Sequence, residues 1–128
     1  MAEEFKICTG SKEERYKLLF AQAEAMLRDE NDEIASMANL AAMIDQTFGF
    51  WWTGFYRVVG EELILGPFQG PLACSRIKYG RGVCGTAWKE QTTQVVADVK
   101  TISVREAIAL ALTNKNLNRL CGRGSILL

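Results

Sequence analysis

The chain has 128 residues, 48% of them hydrophobic and 23% charged, which suits a single soluble domain able to bury its own core. Fifteen Lys+Arg balance fifteen Asp+Glu, so no overall field steers the chain to nucleic acid or to an anionic membrane. No apolar run approaches the roughly 20 residues of a spanning helix, and the acidic start Met1-Ala2-Glu3-Glu4 is unlike a signal or transit peptide. A cytoplasmic location is the expectation. There is no histidine, which removes Ser-His-Asp and Cys-His nucleophilic sites, imidazole acid–base chemistry and His-based zinc sites.

In chain order, Ser11-Lys12-Glu13-Glu14 fits a capping box, and Tyr16, Leu19, Phe20, Ala23 and Leu27 then recur at helical spacing. A helix over about 12–29 is predicted. A second should run over about 32–47, with an apolar stripe of Ile34, Met37, Ala38, Ala41 and Ile44, Asp45 turned outward and Gly49 free to take the left-handed cap. Phe50 to Val59 is rich in aromatic and β-branched residues and reads as a strand. Gly60-Glu61 turns it into a hairpin partner, Glu62 to Leu65. Gly66 to Pro71 should break regular structure, Leu72 to Ile77 form a short strand, Val83 to Trp88 a short helix and Thr93 to Ala97 another strand. Two helices packed on an antiparallel sheet make an α+β domain.

Composition changes after Asp98. Residues 1–98 carry 10 basic and 14 acidic residues, whereas 99–128 carry 5 basic residues and one acid, Glu106. Ser103-Val104-Arg105-Glu106 is a second capping-box pattern, so Ala107 to Leu120 is expected to be helical.

The residues that can carry chemistry are few. Cys8, Cys74, Cys84 and Cys121 include no C-x-x-C pair, which argues against a four-cysteine zinc site, and a reducing compartment argues against structural disulfides. Cys74 and Cys84 flank a glycine-containing turn that also carries Arg76, Lys78 and Arg81. These cations, and a helix starting near Cys84, are of the kind that lowers a thiol pKa. The pair is either redox-active or two small packed side chains. Period two sets Trp52 and Tyr56 on one strand face and Trp51 and Phe55 on the other, so one face feeds the core and the other can wall a pocket for an apolar or sulfur-bearing ligand. Gly80-Arg81-Gly82-Val83-Cys84-Gly85 carries the letters of a dinucleotide fingerprint without the βαβ unit that gives them meaning.

Three segments taken together resemble a known family: Trp52-Thr53-Gly54-Phe55-Tyr56, then Leu65 to Cys74, then Gly80-Arg81-Gly82-Val83-Cys84-Gly85-Thr86-Ala87. They are similar to the free methionine-(R)-sulfoxide reductases, GAF-fold enzymes that act on the free amino acid, and the likeness runs over about residues 12–98. By that resemblance Cys74 corresponds to a resolving cysteine, Cys84 to a further pocket cysteine, and Trp52 and Tyr56 to residues lining the methionine sulfoxide pocket. The implied chemistry is thiolate attack on the sulfoxide sulfur, a sulfenic acid, a disulfide, and reset by a thioredoxin-like dithiol. It calls for no metal and no cofactor, and it allows a homodimer. The family's attacking cysteine follows its Asp-Val-His segment in a His-Ile-Ala-Cys motif. Here the position ten past Asp98 is Ile108, and Cys121, in Leu120-Cys121-Gly122-Arg123 with no matching context, is the candidate for folding back as a substitute nucleophile. Because the likeness stops where composition changes, residues 99–128 are expected to be an atypical tail from a truncated or frame-shifted product, leaving the domain incomplete at its C-terminal end. The alternative function is a non-catalytic GAF domain for small-ligand binding or dimerisation.

Overall fold

The computed structural model describes residues 4–96, 107–112 and 125–127. Helix α1 spans Lys12–Leu27 and helix α2 Glu33–Phe48, and both begin where the sequence offers a capping side chain. Ser11 Oγ accepts from the Glu14 amide at 3.2 Å, and Asp32 Oδ1 from the Ala35 amide at 2.8 Å. Gly49, at φ 64°, closes α2 in the left-handed conformation and donates its N–H to the Asp45 carbonyl at 2.7 Å.

The strands are β1 (Thr53–Val59), β2 (Glu62–Gln69), β3 (Arg76–Lys78), β4 (Gln94–Val96), β5 (Ala107–Leu112) and β6 (Ser125–Leu127). A third helix, α3 (Gly82–Glu90), joins β3 to β4. The six strands form one sheet in the order β3-β2-β1-β6-β5-β4, with every pairing antiparallel. Among the described residues no helix is long and apolar enough to cross a membrane.

Three apolar clusters hold the layers together. Leu19, Ala23 and Met43 join α1 to α2; Met37 and Ala41 of α2 close on Phe55; and Tyr56, Leu63, Cys84 and Ala87 join the opposite sheet face to α3. Strand β1 is therefore buried on both faces, with Phe55 serving one core and Tyr56 the other.

Five expectations change. The strand expected over Leu72 to Ile77 is confined to Arg76–Lys78, because Leu72, 96% exposed, lies in the loop ahead of it with no strand partner among the described residues. The stripe predicted for α2 is rotated: Ile34 is 50% exposed, while Ser36, Met37, Ala41, Met43 and Thr47 are buried, because α2 is covered by α1 on one side and by the sheet on the other. Strand β1 begins at Thr53, so Trp51 is not on its second face but lies ahead of it, 56% exposed. Gly66 and Pro67 do not end β2. They lie together opposite Phe55 as a bulge, where proline's missing N–H costs no ladder bond and Gly66 allows the Phe55 carbonyl to pass 3.0 Å from a would-be Cβ. Finally, Ala107–Leu112 is a strand and not the start of a helix. Ala-Ile-Ala-Leu-Ala-Leu alternates small and large residues with period two, and pairing with both β4 and β6 supplies hydrogen bonds on each edge. Cys121 lies outside the described residues.

Candidate functional site

The β1–β2 hairpin and the end of β2 build an aromatic stack. The Trp52 ring lies over Phe68 at 5.4 Å between centroids and beside Tyr56 at 6.0 Å, both near parallel. Glycine makes this approach possible. A Cβ on Gly54 would sit 2.3 Å from Phe68 Cβ and 2.6 Å from the Trp52 ring edge, and one on Gly70 would sit 2.6 Å from the Trp51 carbonyl oxygen. The indole N–H of Trp52 is buried and has no hydrogen-bond acceptor among the described residues.

Beneath this stack the loop after β2 meets α3. The Tyr56 hydroxyl donates to the carbonyl oxygen of Cys74 at 2.8 Å, tying the loop to the sheet. The Leu65 amide donates to the Ser75 carbonyl at 3.0 Å and fixes the same loop from the other side. Cys74 is exposed, whereas Cys84, the third residue of α3, is only 6% exposed and packs with Tyr56, Leu63 and Ala87. The turn between them is held by Arg81 N–H to Lys78 O at 3.0 Å and Gly80 N–H to Gly85 O at 3.1 Å.

Of the two readings left open for Cys84, the electrostatics favour the packed, protonated side chain over a lowered thiol pKa. Burial pushes its thiol up to about 12, and a charge on neighbouring Cys74 would push it further; the hydrogen bond that its own backbone offers lowers it but is outweighed. The cations expected to help do not compensate: Arg76 pairs with Glu62 at 3.1 Å, and Lys78 and Arg81 are exposed. Burial likewise raises the Tyr56 phenol to about 12, with Cys84 and then Cys74 adding to the effect. The site is thus one exposed thiol, Cys74, against two groups that hold their protons well above neutral pH.

All four residues singled out in the sequence, Trp52, Tyr56, Cys74 and Cys84, come together here. Phe68 belongs with them and was hidden in a segment that reads as a strand breaker. Its signal is the hairpin register, which sets it opposite the side-chain-free Gly54. Among the described residues no group of three or more acidic, cysteine or histidine side chains is placed to hold a metal ion. A separate open cleft of about 530 Å³ lies at the other end of the hairpin, lined by Gly60, Glu61, Glu62, Lys78, Tyr79 and Trp88.

No protein-family model matches the chain. Individual relatives do. "GAF domain-containing protein A" of Dictyostelium discoideum is 54% identical over 101 residues, covering 78% of this chain and 64% of that protein. The free methionine-R-sulfoxide reductase of Escherichia coli (strain K12) is 40% identical over 90 residues, 70% of this chain and 54% of that enzyme. The chain thus spans little more than half to under two thirds of the length of these curated relatives. The free methionine-R-sulfoxide reductase of Neisseria meningitidis, solved in complex with its substrate, superposes with a TM-score of 0.84 at 37% identity, over 97% of this chain and 77% of that one. With three helices about an antiparallel sheet among the described residues and this likeness along most of its length, the chain belongs to the GAF-fold family of free methionine-(R)-sulfoxide reductases.

Proposed function

We propose that this chain binds free methionine-(R)-sulfoxide and reduces it through Cys74 and Cys84. The observation that carries this reading is the juxtaposition of an exposed thiol, a buried neutral thiol and a phenol beside an indole whose N–H finds no acceptor among the described residues. Trp52, Tyr56 and Phe68 form an aromatic surface suited to a methyl-sulfur group, since sulfur contacts with aromatic rings are favourable. The Trp52 N–H is a donor suited to a sulfoxide oxygen, which would end its unsatisfied state.

The chemistry balances without a metal. With isoleucine at position 108, where the resemblance sets the attacking cysteine, the attack falls to the exposed Cys74 in place of the resolving role the resemblance gives it: its thiolate attacks the sulfoxide sulfur, oxygen passes to Cys74 with uptake of a proton, and methionine leaves. Cys74 is then a sulfenic acid. The Cys84 thiol attacks that sulfur, giving a Cys74–Cys84 disulfide and water. A protein dithiol of the thioredoxin type reduces the disulfide, itself becoming oxidised.

A second reading, a GAF domain that binds the ligand without turnover, is favoured by one feature. The position ten past Asp98, where the resemblance sets the family's attacking cysteine, is Ile108 in β5. Two measurements separate the readings. Dithiol consumption by this chain with the (R)-epimer, and not the (S)-epimer, supports reduction. Without a reductant, one turnover should lower the protein mass by about two hydrogens in the parent chain and add about one oxygen in Cys84→Ser. Binding of the (R)-epimer with no mass change in either protein would sink the catalytic reading and leave the binding module.

A further inference from the structure

Tyr56 lies between the two thiols of the site. Its side chain is only 2% exposed and packs in one cluster with Leu63, Cys84 and Ala87. Its hydroxyl donates to the Cys74 carbonyl at 2.8 Å. After burial, the largest influences on the phenol are Cys84 and then Cys74, so both thiols lie within its electrostatic reach. The same bond ties the Cys74 loop to β1, while the Leu65 amide, donating to the Ser75 carbonyl at 3.0 Å, ties it to β2.

Cys84 is held in another way. Gly85 follows it in α3, and a Cβ there would sit 2.7 Å from the Lys78 carbonyl oxygen. That close approach, with the Gly80 amide donating to the Gly85 carbonyl at 3.1 Å, seats the first turn of α3 against the turn after β3. Cys84 is thus fixed by helix packing, whereas Cys74 stands exposed in a loop outside any helix or strand. A bond between them demands a Cα separation of about 4.4–6.8 Å and a narrow dihedral range. A loop free to wander would meet that demand only a fraction of the time. The phenol's proton, moreover, is already given to the Cys74 carbonyl. The Trp52 N–H, which finds no acceptor among the described residues, is therefore the donor left for a ligand oxygen.

We propose that Tyr56 is a positioning residue for the disulfide step, its ring packed on Cys84 and its hydroxyl holding the Cys74 loop in reach of that thiol. As a step of turnover this role rests on the reductive reading, but the step itself can be driven without a sulfoxide. Hydrogen peroxide oxidises the Cys74 thiolate to a sulfenic acid and releases hydroxide. The Cys84 thiol then attacks that sulfur, the S–S bond forms, and the oxygen leaves as water with the thiol's proton.

The test treats the reduced full chain with hydrogen peroxide, beside Tyr56→Phe and Asp32→Ala. Phenylalanine keeps the ring and deletes the bond to Cys74. Asp32→Ala removes the cap of α2, which packs on the other face of the sheet, and controls for a comparable loss of stability. Peptide mass spectrometry follows the Cys74–Cys84 link, and dimedone traps any Cys74 sulfenic acid that has not closed. The parent should pass to the disulfide with little adduct. Tyr56→Phe should close about three- to tenfold more slowly and accumulate the adduct at Cys74, while Asp32→Ala closes like the parent. Closure of Tyr56→Phe at the parent rate overturns the proposal, as does equal slowing in both variants or a parent chain that forms no Cys74–Cys84 link. The expected pattern with peroxide, in a parent chain that leaves methionine-(R)-sulfoxide unreduced, would sink the reductive reading and still support the positioning role.

Discussion

Cys84 offers the sharpest test of the site's electrostatics. With its thiol held at about 12 in place of the ordinary 9.0, the thiolate fraction at pH 8 falls from about one in ten to about one in ten thousand. Iodoacetamide alkylates the thiolate, so Cys84 in the folded chain should label about a thousandfold more slowly than in urea. The rate should climb about tenfold per pH unit, with no plateau below about pH 11. Peptide mapping by mass spectrometry distinguishes it from exposed Cys74, which serves as the accessible reference. The same shift makes a statement about stability. The folded state keeps the proton to higher pH than the unfolded chain, so the stabilisation is complete below about pH 9 and is lost as pH rises toward 12. The loss approaches about 1.4 kcal/mol per pH unit within that window, on the order of 4 kcal/mol in all for Cys84. Tyr56 adds to the loss in the same direction between pH 10.0 and about 12. Urea melts across about pH 8 to 11 should therefore show a steep alkaline decline that Cys84→Ala flattens. Labelling of native Cys84 that plateaus below about pH 10, or a decline the substitution leaves unchanged, would refute the argument that burial governs this thiol.

Other consequences follow from single contacts. Tyr56→Phe removes the 2.8 Å bond to the Cys74 carbonyl and should cost about 0.5–1.5 kcal/mol in urea melts, with faster alkylation of Cys74 as its loop loosens. Gly54→Ala forces a methyl to within 2.3 Å of Phe68 Cβ and 2.9 Å of its backbone Cα; a loss of about 1–3 kcal/mol and a changed tryptophan fluorescence are expected. Met37→Ala empties a position only 1% exposed between α2 and Phe55 and should cost about 2–5 kcal/mol. Asp32→Ala removes the cap of α2, and a loss of about 0.5–2 kcal/mol is expected by thermal melting.

Local chemistry was legible in the sequence wherever the cause was local. Ser11 and Gly49 mark helix ends through bonds within a few residues, and Gly60-Glu61 marks a turn by its own conformational needs. What was not legible depends on partners far along the chain. The face of α2 that is buried is decided by α1 and the sheet, so a stripe chosen by hydrophobicity included exposed Ile34 and missed buried Thr47, whose hydroxyl is satisfied by the Met43 carbonyl at 2.7 Å. Gly66-Pro67 looks like a terminator, but in register with Phe55 it is a bulge inside a continuous strand. Ala107–Leu112 has the alanine content of a helix and the alternation of a strand, and only its two neighbours choose. At the site, motif spacing named the four residues that gather, but not their protonation. The cations near Cys84 are neighbours in sequence and exposed in space, whereas its burial comes from Leu63 and Ala87, which no spacing rule attaches to it.

That protonation constrains the order of any reaction at this site. A thiol held at about 12 is almost wholly neutral near pH 7, and neutral thiols are poor nucleophiles toward a sulfoxide. In the proposed reaction, the exposed Cys74 is the thiol of the pair that can meet both a ligand entering from solvent and the reductant that would open a disulfide. Cys84 is suited to the second step, where the partner is an electrophilic sulfenic acid already formed beside it and a proton must be delivered as water departs. Burial also protects it: a thiol kept neutral and covered resists alkylation and over-oxidation, both of which follow thiolate character and exposure. The hydrogen bond from Tyr56 to the Cys74 carbonyl bears on the same ordering, because it holds the exposed thiol's backbone against the sheet on which the buried one, carried by α3, packs. On the proposed reading, the division of labour follows from which cysteine the hairpin and α3 cover, and not from any difference between the two side chains.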